Sequence, residues 1–218
     1  MLATLSTHRR FIVTGILIFF SLGFLGVFTE SDRLSPVLQG LIVSVAFFLV
    51  IPVFYSKMVL KESLKNIGWQ KGDFGAGVFA SIVSIAVAGG IVVGLARFFP
   101  GFHEQYIFPA LVEKSFFWFV FYELVLVTFT VLLYEVFFRG LVQLSWLRAF
   151  GMWSILIQTV LFFGLLFLSQ DIVWQAAPLL IFCPFAGFIA YRSQSVWYSS
   201  AASWVFLFLT DIFFLIFH

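Results

Sequence analysis

Apolar residues along the chain are grouped into seven long runs that are separated by short polar stretches. A run of roughly 17–25 apolar residues has the length that an α-helix needs to cross a bilayer. The sequence therefore predicts an all-α fold, a polytopic membrane helix bundle. The predicted spans are Phe11 to Thr29, Pro36 to Tyr55, Phe74 to Leu95, Phe116 to Phe138, Met152 to Leu168, Ile172 to Ala190, and Val196 to Phe217.

The positive charges between these runs indicate the orientation of the bundle. Cytoplasmic loops of membrane proteins carry an excess of Lys and Arg over the loops on the other side. With the N-terminus inside, only Arg33, Arg97 and Lys114 fall outside, so we predict an N-terminus inside and a C-terminus outside. The residues that then fall inside are Arg9, Arg10, Lys57, Lys61, Lys65, Lys71, Arg139, Arg148 and Arg192.

The composition agrees with a protein that lives in a lipid bilayer. Hydrophobic residues make up 62% of the 218 positions and charged residues only 10%, and the mean hydropathy is +1.11. Soluble domains carry about 25% charged residues. We predict a multi-pass integral membrane protein, which in a prokaryote would lie in the cytoplasmic membrane. The net charge of +2 is too small to indicate a nucleic-acid partner.

The chain has neither an internal repeat nor a low-complexity linker, which favours one membrane domain overall. Within it, residues 1–115 are predicted to form N-terminal transmembrane helices with an amphipathic loop. That loop, Ser56 to Asp73, is basic and is expected to lie along the membrane surface, with its lysines near anionic lipid. Residues 116–218 are predicted to form a helical core.

Ionisable residues interrupt the predicted spans at a few positions. Charged groups at membrane depth are costly unless they are paired. Glu135 and Arg139 lie four residues apart, so they share one helix face and can neutralise each other. Glu123 and Asp211 have no such neighbour in the sequence, so each either makes a polar contact inside the bundle or has a functional role.

Histidine-dependent chemistry is disfavoured by the placement of the three histidines. His8, His103 and His218 fall in loops or at the termini of the predicted bundle. A zinc site needs grouped ligands, and a Ser–His nucleophile needs an imidazole beside the serine. We therefore expect no metal, and no other cofactor is indicated by the sequence.

The string Tyr134-Glu135-Val136-Phe137-Phe138-Arg139-Gly140 resembles a membrane-protease signature. It is similar to the Glu-Glu-x-x-x-Arg motif of the CAAX-protease and bacteriocin-processing (CPBP/Abi) family, with Tyr134 replacing the first Glu. The resemblance implies a four-helix core and an intramembrane protease ancestry for the C-terminal half. Glu135 and Arg139 are the motif residues that remain at their expected positions.

The other two signatures of that family have lost their polar residues. Phe163 to Phe167 is similar to a Phe-x-x-x-His signature, with Phe167 in place of His. In the last helix, Ser203 and Leu207 align with the family's His and its polar partner. The resemblance implies that the first Glu activates water and that the His and its partner assist, but neither Phe nor Leu can transfer a proton.

These substitutions favour a degenerate, non-proteolytic member, a pseudoenzyme that acts as a membrane binding or assembly subunit. Its expected partners are the lipid bilayer and another integral membrane protein. An alternative is an active glutamate-type intramembrane endopeptidase, a hydrolase that uses Glu135 with Glu123 or Ser203. A further alternative is a small transporter in which Glu123 and Asp211 line a polar path.

Overall fold

The computed structural model describes residues 7–28, 36–99, 101–102, 106, 112, 115–168 and 176–217. Within these residues the chain folds into long helices and contains no strand. We label them α1 (Thr7–Gly26), α2 (36–59), α3 (Phe74–Phe98), α4 (Phe116–Phe150), α5 (Trp153–Leu168), α6 (Ala177–Ser193) and α7 (Val196–Phe217). The predicted all-α helix bundle is confirmed.

The helices differ in their capacity to cross a membrane. Helices α2, α3, α4 and α7 each contain at least 18 residues and are apolar enough to span a bilayer. Helices α1, α5 and α6 hold shorter apolar stretches of 10–17 residues. The chain is therefore an integral membrane protein, while the seven spans and their orientation stay predictions.

Helix α4 continues twelve residues beyond the predicted end of the fourth span, from Phe138 to Phe150. The sequence prediction ended this span before Arg139 because it treated the charge as a boundary. In the structure Arg139 is 2% exposed inside the helix, so the charge does not end it.

Part of α4 departs from ordinary α-helical geometry. The ten residues Glu135–Leu144 have π-helical hydrogen bonding, and all ten are buried. Such wider turns are rare in proteins and are frequently found at functional sites. The widened segment begins at the first residue of the Glu-x-x-x-Arg string, and it faces α5, α6 and α7.

The helices of the two predicted segments share their apolar cores. One core joins buried residues of α3, such as Ala88, to residues of α6 and α7, such as Phe182 and Phe206. The other joins Ile18 of α1 to Phe138 of α4 and to residues of α2, α5 and α6. The N-terminal helices are therefore packed onto the C-terminal ones, and the division into domains stays a prediction.

The orientation can be tested with introduced cysteines, because the chain has a single cysteine, Cys183, which is fully buried. Lys71 and Phe99 are exposed at opposite ends of α3. In intact cells, an impermeant maleimide should label a Phe99→Cys variant and leave Lys71→Cys unlabelled until the membrane is permeabilised. Labelling of Lys71→Cys alone in intact cells would show the opposite orientation.

Candidate functional site

The carboxylate of Glu135 lies at the centre of a buried polar cluster between α4 and α7. Its side chain is 1% exposed. Ser199 Oγ donates a hydrogen bond to Glu135 Oε2 at 2.5 Å, and Ser203 Oγ donates one to Oε1 at 3.0 Å. Because the two serines are four residues apart on α7, they share one helix face and present both hydroxyls to the same carboxylate. We call Glu135, Arg139, Ser199 and Ser203 the Glu135 cluster.

Arg139 supplies the positive charge of the Glu135 cluster. Its Nε lies 3.5 Å from Glu135 Oε1, and its Nη2 donates a hydrogen bond to the carbonyl oxygen of Cys183 at 3.2 Å. The guanidinium carbon lies 5.8 Å from the centre of the Phe162 ring, within the range of a cation–π contact. The predicted Glu135–Arg139 pair is therefore present. Arg139 also contacts α6 through the Cys183 carbonyl and α5 through the Phe162 ring.

A layer of amide side chains extends the polar cluster toward α5 and α6. Gln143 Nε2 donates to the carbonyl of Gly187 at 2.7 Å. Gln158 Nε2 lies 2.8 Å from Thr159 Oγ1 and 3.3 Å from the Cys183 carbonyl oxygen. Sequence reasoning missed these residues, although uncharged amides inside apolar runs were a readable signal, since a polar group at membrane depth needs a partner.

Close approach of the backbone at this layer depends on glycine. A Cβ added at Gly187 would lie 2.7 Å from Gln158 Nε2 and 3.1 Å from Gln143 Oε1. A Cβ added at Gly140 would lie 2.8 Å from the carbonyl oxygen of Ile67, in the loop between α2 and α3. Gly140, at the end of the Phe-Arg-Gly string, therefore lets the backbone of this loop pack against α4 next to Arg139.

Tyr134, at the position of the family's first Glu, lies apart from the Glu135 cluster. Its ring makes edge-on contacts with Phe48 at 5.2 Å and Phe162 at 5.3 Å. It lines a cavity of about 340 Å³ between α1, α2 and α5, whose other wall includes Leu166. Consecutive helix residues point about 100° apart, so the motif's two positions face different surroundings.

Phe167 and Leu207, the two other substituted motif positions, lie away from the Glu135 cluster. Phe167 is 72% exposed, on the outward face of α5. The buried residues of this part of α5 are Phe162, Leu165 and Leu166. The matched positions Phe163 and Phe167 each follow a buried residue by one, so they lie off the buried face of the helix. Leu207 is half-buried and lines another cavity near the opposite end of the bundle.

Glu123 and Asp211, which the sequence left without partners, lie close to each other across α4 and α7, but neither carboxylate oxygen of Glu123 makes a hydrogen bond within the part of the chain that the structure describes. Glu123 is 0% exposed and Asp211 is 5% exposed. Asp211 Oδ1 accepts a hydrogen bond from the Tyr106 hydroxyl, and Asp211, Tyr106 and Tyr122 line a cavity of about 200 Å³. Burial and the neighbouring Asp211 raise the pKa of Tyr106 above its ordinary value, so the phenol keeps the proton that it donates.

The arrangement around Glu135 determines what chemistry it can perform. No group of three His, Cys, Asp or Glu side chains comes together among the residues that the structure describes. His103 and His218, and the side chain of His8, lie outside the described residues. Glu135 has hydroxyl and guanidinium groups around it, which stabilise its charge but do not supply a second acid or base.

A bundle of long apolar helices, four of them able to cross a bilayer, defines the chain as an integral membrane protein. Residues 114–209 match a family model described as type II CAAX prenyl endopeptidase Rce1-like. The match confirms the resemblance that the string from Tyr134 to Gly140 predicted, and it includes all four residues of the Glu135 cluster. No curated protein and no solved structure matches the chain.

Proposed function

We propose that the chain is a non-proteolytic relative of the CAAX prenyl endopeptidases that acts as a membrane binding or assembly subunit. The observation that carries this proposal is the enclosure of Glu135, which is 1% exposed and bonded to Ser199 and Ser203. A general base must reach the water that it activates, directly or through one further water. A carboxylate with both oxygens occupied inside a packed bundle is suited to holding helices together.

The position that does face a cavity also supports the absence of proteolysis. Tyr134 lines the cavity of about 340 Å³, where the family has a Glu. The phenol has an ordinary pKa of about 10 and is a poor base near neutral pH. Leu165 and Leu166, which line the same cavity from α5, have no proton to transfer. Neither side chain replaces the carboxylate and imidazole of the family's site.

The first turns of α4 offer a surface for a membrane partner. Phe116 is 81% exposed and Phe117 is 69% exposed, with Trp118 and Phe121 beside them. Aromatic side chains that point away from the bundle suit contact with lipid or with a helix of another membrane protein. We propose that residues 116–218 form the family-like core that carries this surface, and that residues 1–115 pack around that core.

Peptide cleavage by the purified protein in liposomes tests the proposal. The probe is a farnesylated peptide that ends in a CAAX sequence, with an active CAAX endopeptidase as the positive control. We expect wild type, Glu135→Gln and Tyr134→Glu to release the same background amount of product. Tyr134→Glu restores the Glu-Glu-x-x-x-Arg string, but a carboxylate there still lacks an imidazole opposite.

One result would contradict the proposal, and a second would contradict only the expectation for Tyr134→Glu. Cleavage by wild type that Glu135→Gln abolishes would establish the alternative, a glutamate-type endopeptidase. Cleavage that appears only in Tyr134→Glu would show that the site is intact except for one substitution. The unfolding temperature of each variant, measured in the same liposomes, separates a lost activity from a lost fold.

A further inference from the structure

A polar cleft opens where the loop after α2 meets the ends of α4 and α6. Its volume is about 190 Å³. Lys65 and Asn66 form one wall, and Arg148 and Gln194 contribute to the others. Lys65 belongs to a short 3₁₀ turn, Leu64–Ile67, while Arg148 lies in the last turn of α4. Residues from separate parts of the chain thus converge on one cleft.

The charge of this cleft is positive. The residues that line it include Lys65 and Arg148 and include no carboxylate. Both cations are exposed, and neither forms an ion pair within the part of the chain that the structure describes. The nearest acid on the loop, Glu62, accepts a hydrogen bond from Asn66 Nδ2 at 2.9 Å. An anion entering the cleft would therefore meet two cations that form no ion pair with any residue that the structure describes.

Two leucines give the cleft an apolar part beside its charged part. Leu144 is buried and Leu147 is half-buried, and both contribute to the walls. Further along the same end of the bundle lie the exposed cations Lys57, Lys61, Lys71 and Arg192. A basic pocket with an apolar rim beside transmembrane helices is the type of site that holds an anionic lipid headgroup.

We propose that this cleft binds the phosphate headgroup of an anionic phospholipid, with Lys65 and Arg148 as its two charged contacts. Arg148 by itself has a simpler explanation, since a cation at the C-terminal turn of a helix is favoured by the helix dipole. That explanation does not account for Lys65, which reaches the same cleft from a separate loop. The lipid is the preferred source of phosphate because Leu144 and Leu147 offer an apolar surface next to the charges.

Binding of phosphatidylglycerol and phosphatidylcholine with identical acyl chains tests this site, measured by native mass spectrometry of the full chain in detergent. The pocket variant is Lys65→Gln/Arg148→Gln. The control is Lys57→Gln/Arg192→Gln, which removes one exposed Lys and one exposed Arg at the same end of the bundle. A cation near a membrane surface contributes about fivefold in affinity for anionic lipid, so the pocket variant should bind phosphatidylglycerol about 30-fold more weakly.

Neither Lys57 nor Arg192 lines the cleft, so the control variant should keep its affinity for phosphatidylglycerol within about twofold, and phosphatidylcholine should bind all forms equally weakly. An equal loss in both double variants would show diffuse attraction and overturn the proposal. Inorganic phosphate that competes at the concentration of the lipid would also overturn it, because the site would then take free phosphate. Lys65→Gln alone keeps the test valid if the double variant unfolds, and it should show about a fivefold loss.

Discussion

An Arg139→Met variant is expected to lose about 3–5 kcal/mol of unfolding free energy, which is the usual cost of removing one partner from a buried ion pair. The loss arises because Glu135, 1% exposed, would keep a charge with no cation beside it. The substitution would also leave the Cys183 carbonyl without its bond to Nη2 and remove the contact with the Phe162 ring. Methionine keeps a similar length and flexibility, so the packing volume changes little.

Unfolding in mixed micelles, with the denaturing detergent as the titrant, measures this loss. Arg192→Met is the matched control, since Arg192 is exposed in the last turn of α6 and its removal should change stability by less than about 0.5 kcal/mol. The double variant Glu135→Gln/Arg139→Met should recover much of the loss, because a neutral amide can still bond to Ser199 and Ser203. An Arg139→Met variant as stable as Arg192→Met would mean that the pair does not hold the bundle together.

The sequence predicted the helical class and the approximate position of every long helix, because apolar length is a direct requirement of the bilayer. It placed the end of α4 at Phe138 because an arginine ordinarily marks the edge of a span. In the folded chain the charge is neutralised by Glu135 one turn earlier, so the helix continues to Phe150. Whether a charge ends a span therefore depends on a partner that a hydropathy run does not show.

The candidate site was predictable where it depends on local spacing and less so where it depends on contacts between helices. Glu135 and Arg139 pair as their spacing predicted, and Ser203, chosen through the family resemblance, contacts Glu135. Ser199 was missed although it lies one turn before Ser203 on the same face. Phe167 was placed at the site because a motif match fixes a position in the sequence but not which face of the helix is buried.

The approach of Glu123 to Asp211 is a second contact between helices that the sequence could not predict. Nothing in the sequence near either residue indicates the other, because the two helices meet only in the folded bundle. The sequence did predict that each residue would need a reason to be inside the membrane. What it left open was the identity of the partner, which for Asp211 is the hydroxyl of Tyr106.

A Gly140→Ala variant is expected to lose about 1–3 kcal/mol, the range for adding one methyl group to a tightly packed site. The added Cβ would lie 2.8 Å from the Ile67 carbonyl oxygen, which is a backbone atom and cannot rotate away. Relief of the clash would move the loop, which is bonded to the start of α7 through Val196 N and the Gly68 carbonyl at 3.1 Å. The same unfolding titration measures the loss, and trypsin should cut after Lys65 faster in the variant.

Gly164→Ala on α5 is the matched control for this clash. A Cβ at Gly164 would meet nothing within 4 Å, and alanine favours a helix over glycine by up to about 1 kcal/mol. We therefore expect Gly164→Ala to be neutral or slightly stabilising, while Gly140→Ala is destabilised and loosens the loop. If both variants behaved alike, the loop would not be packed against the Phe-Arg-Gly string. The enclosure of Glu135 from that side would then need another cause.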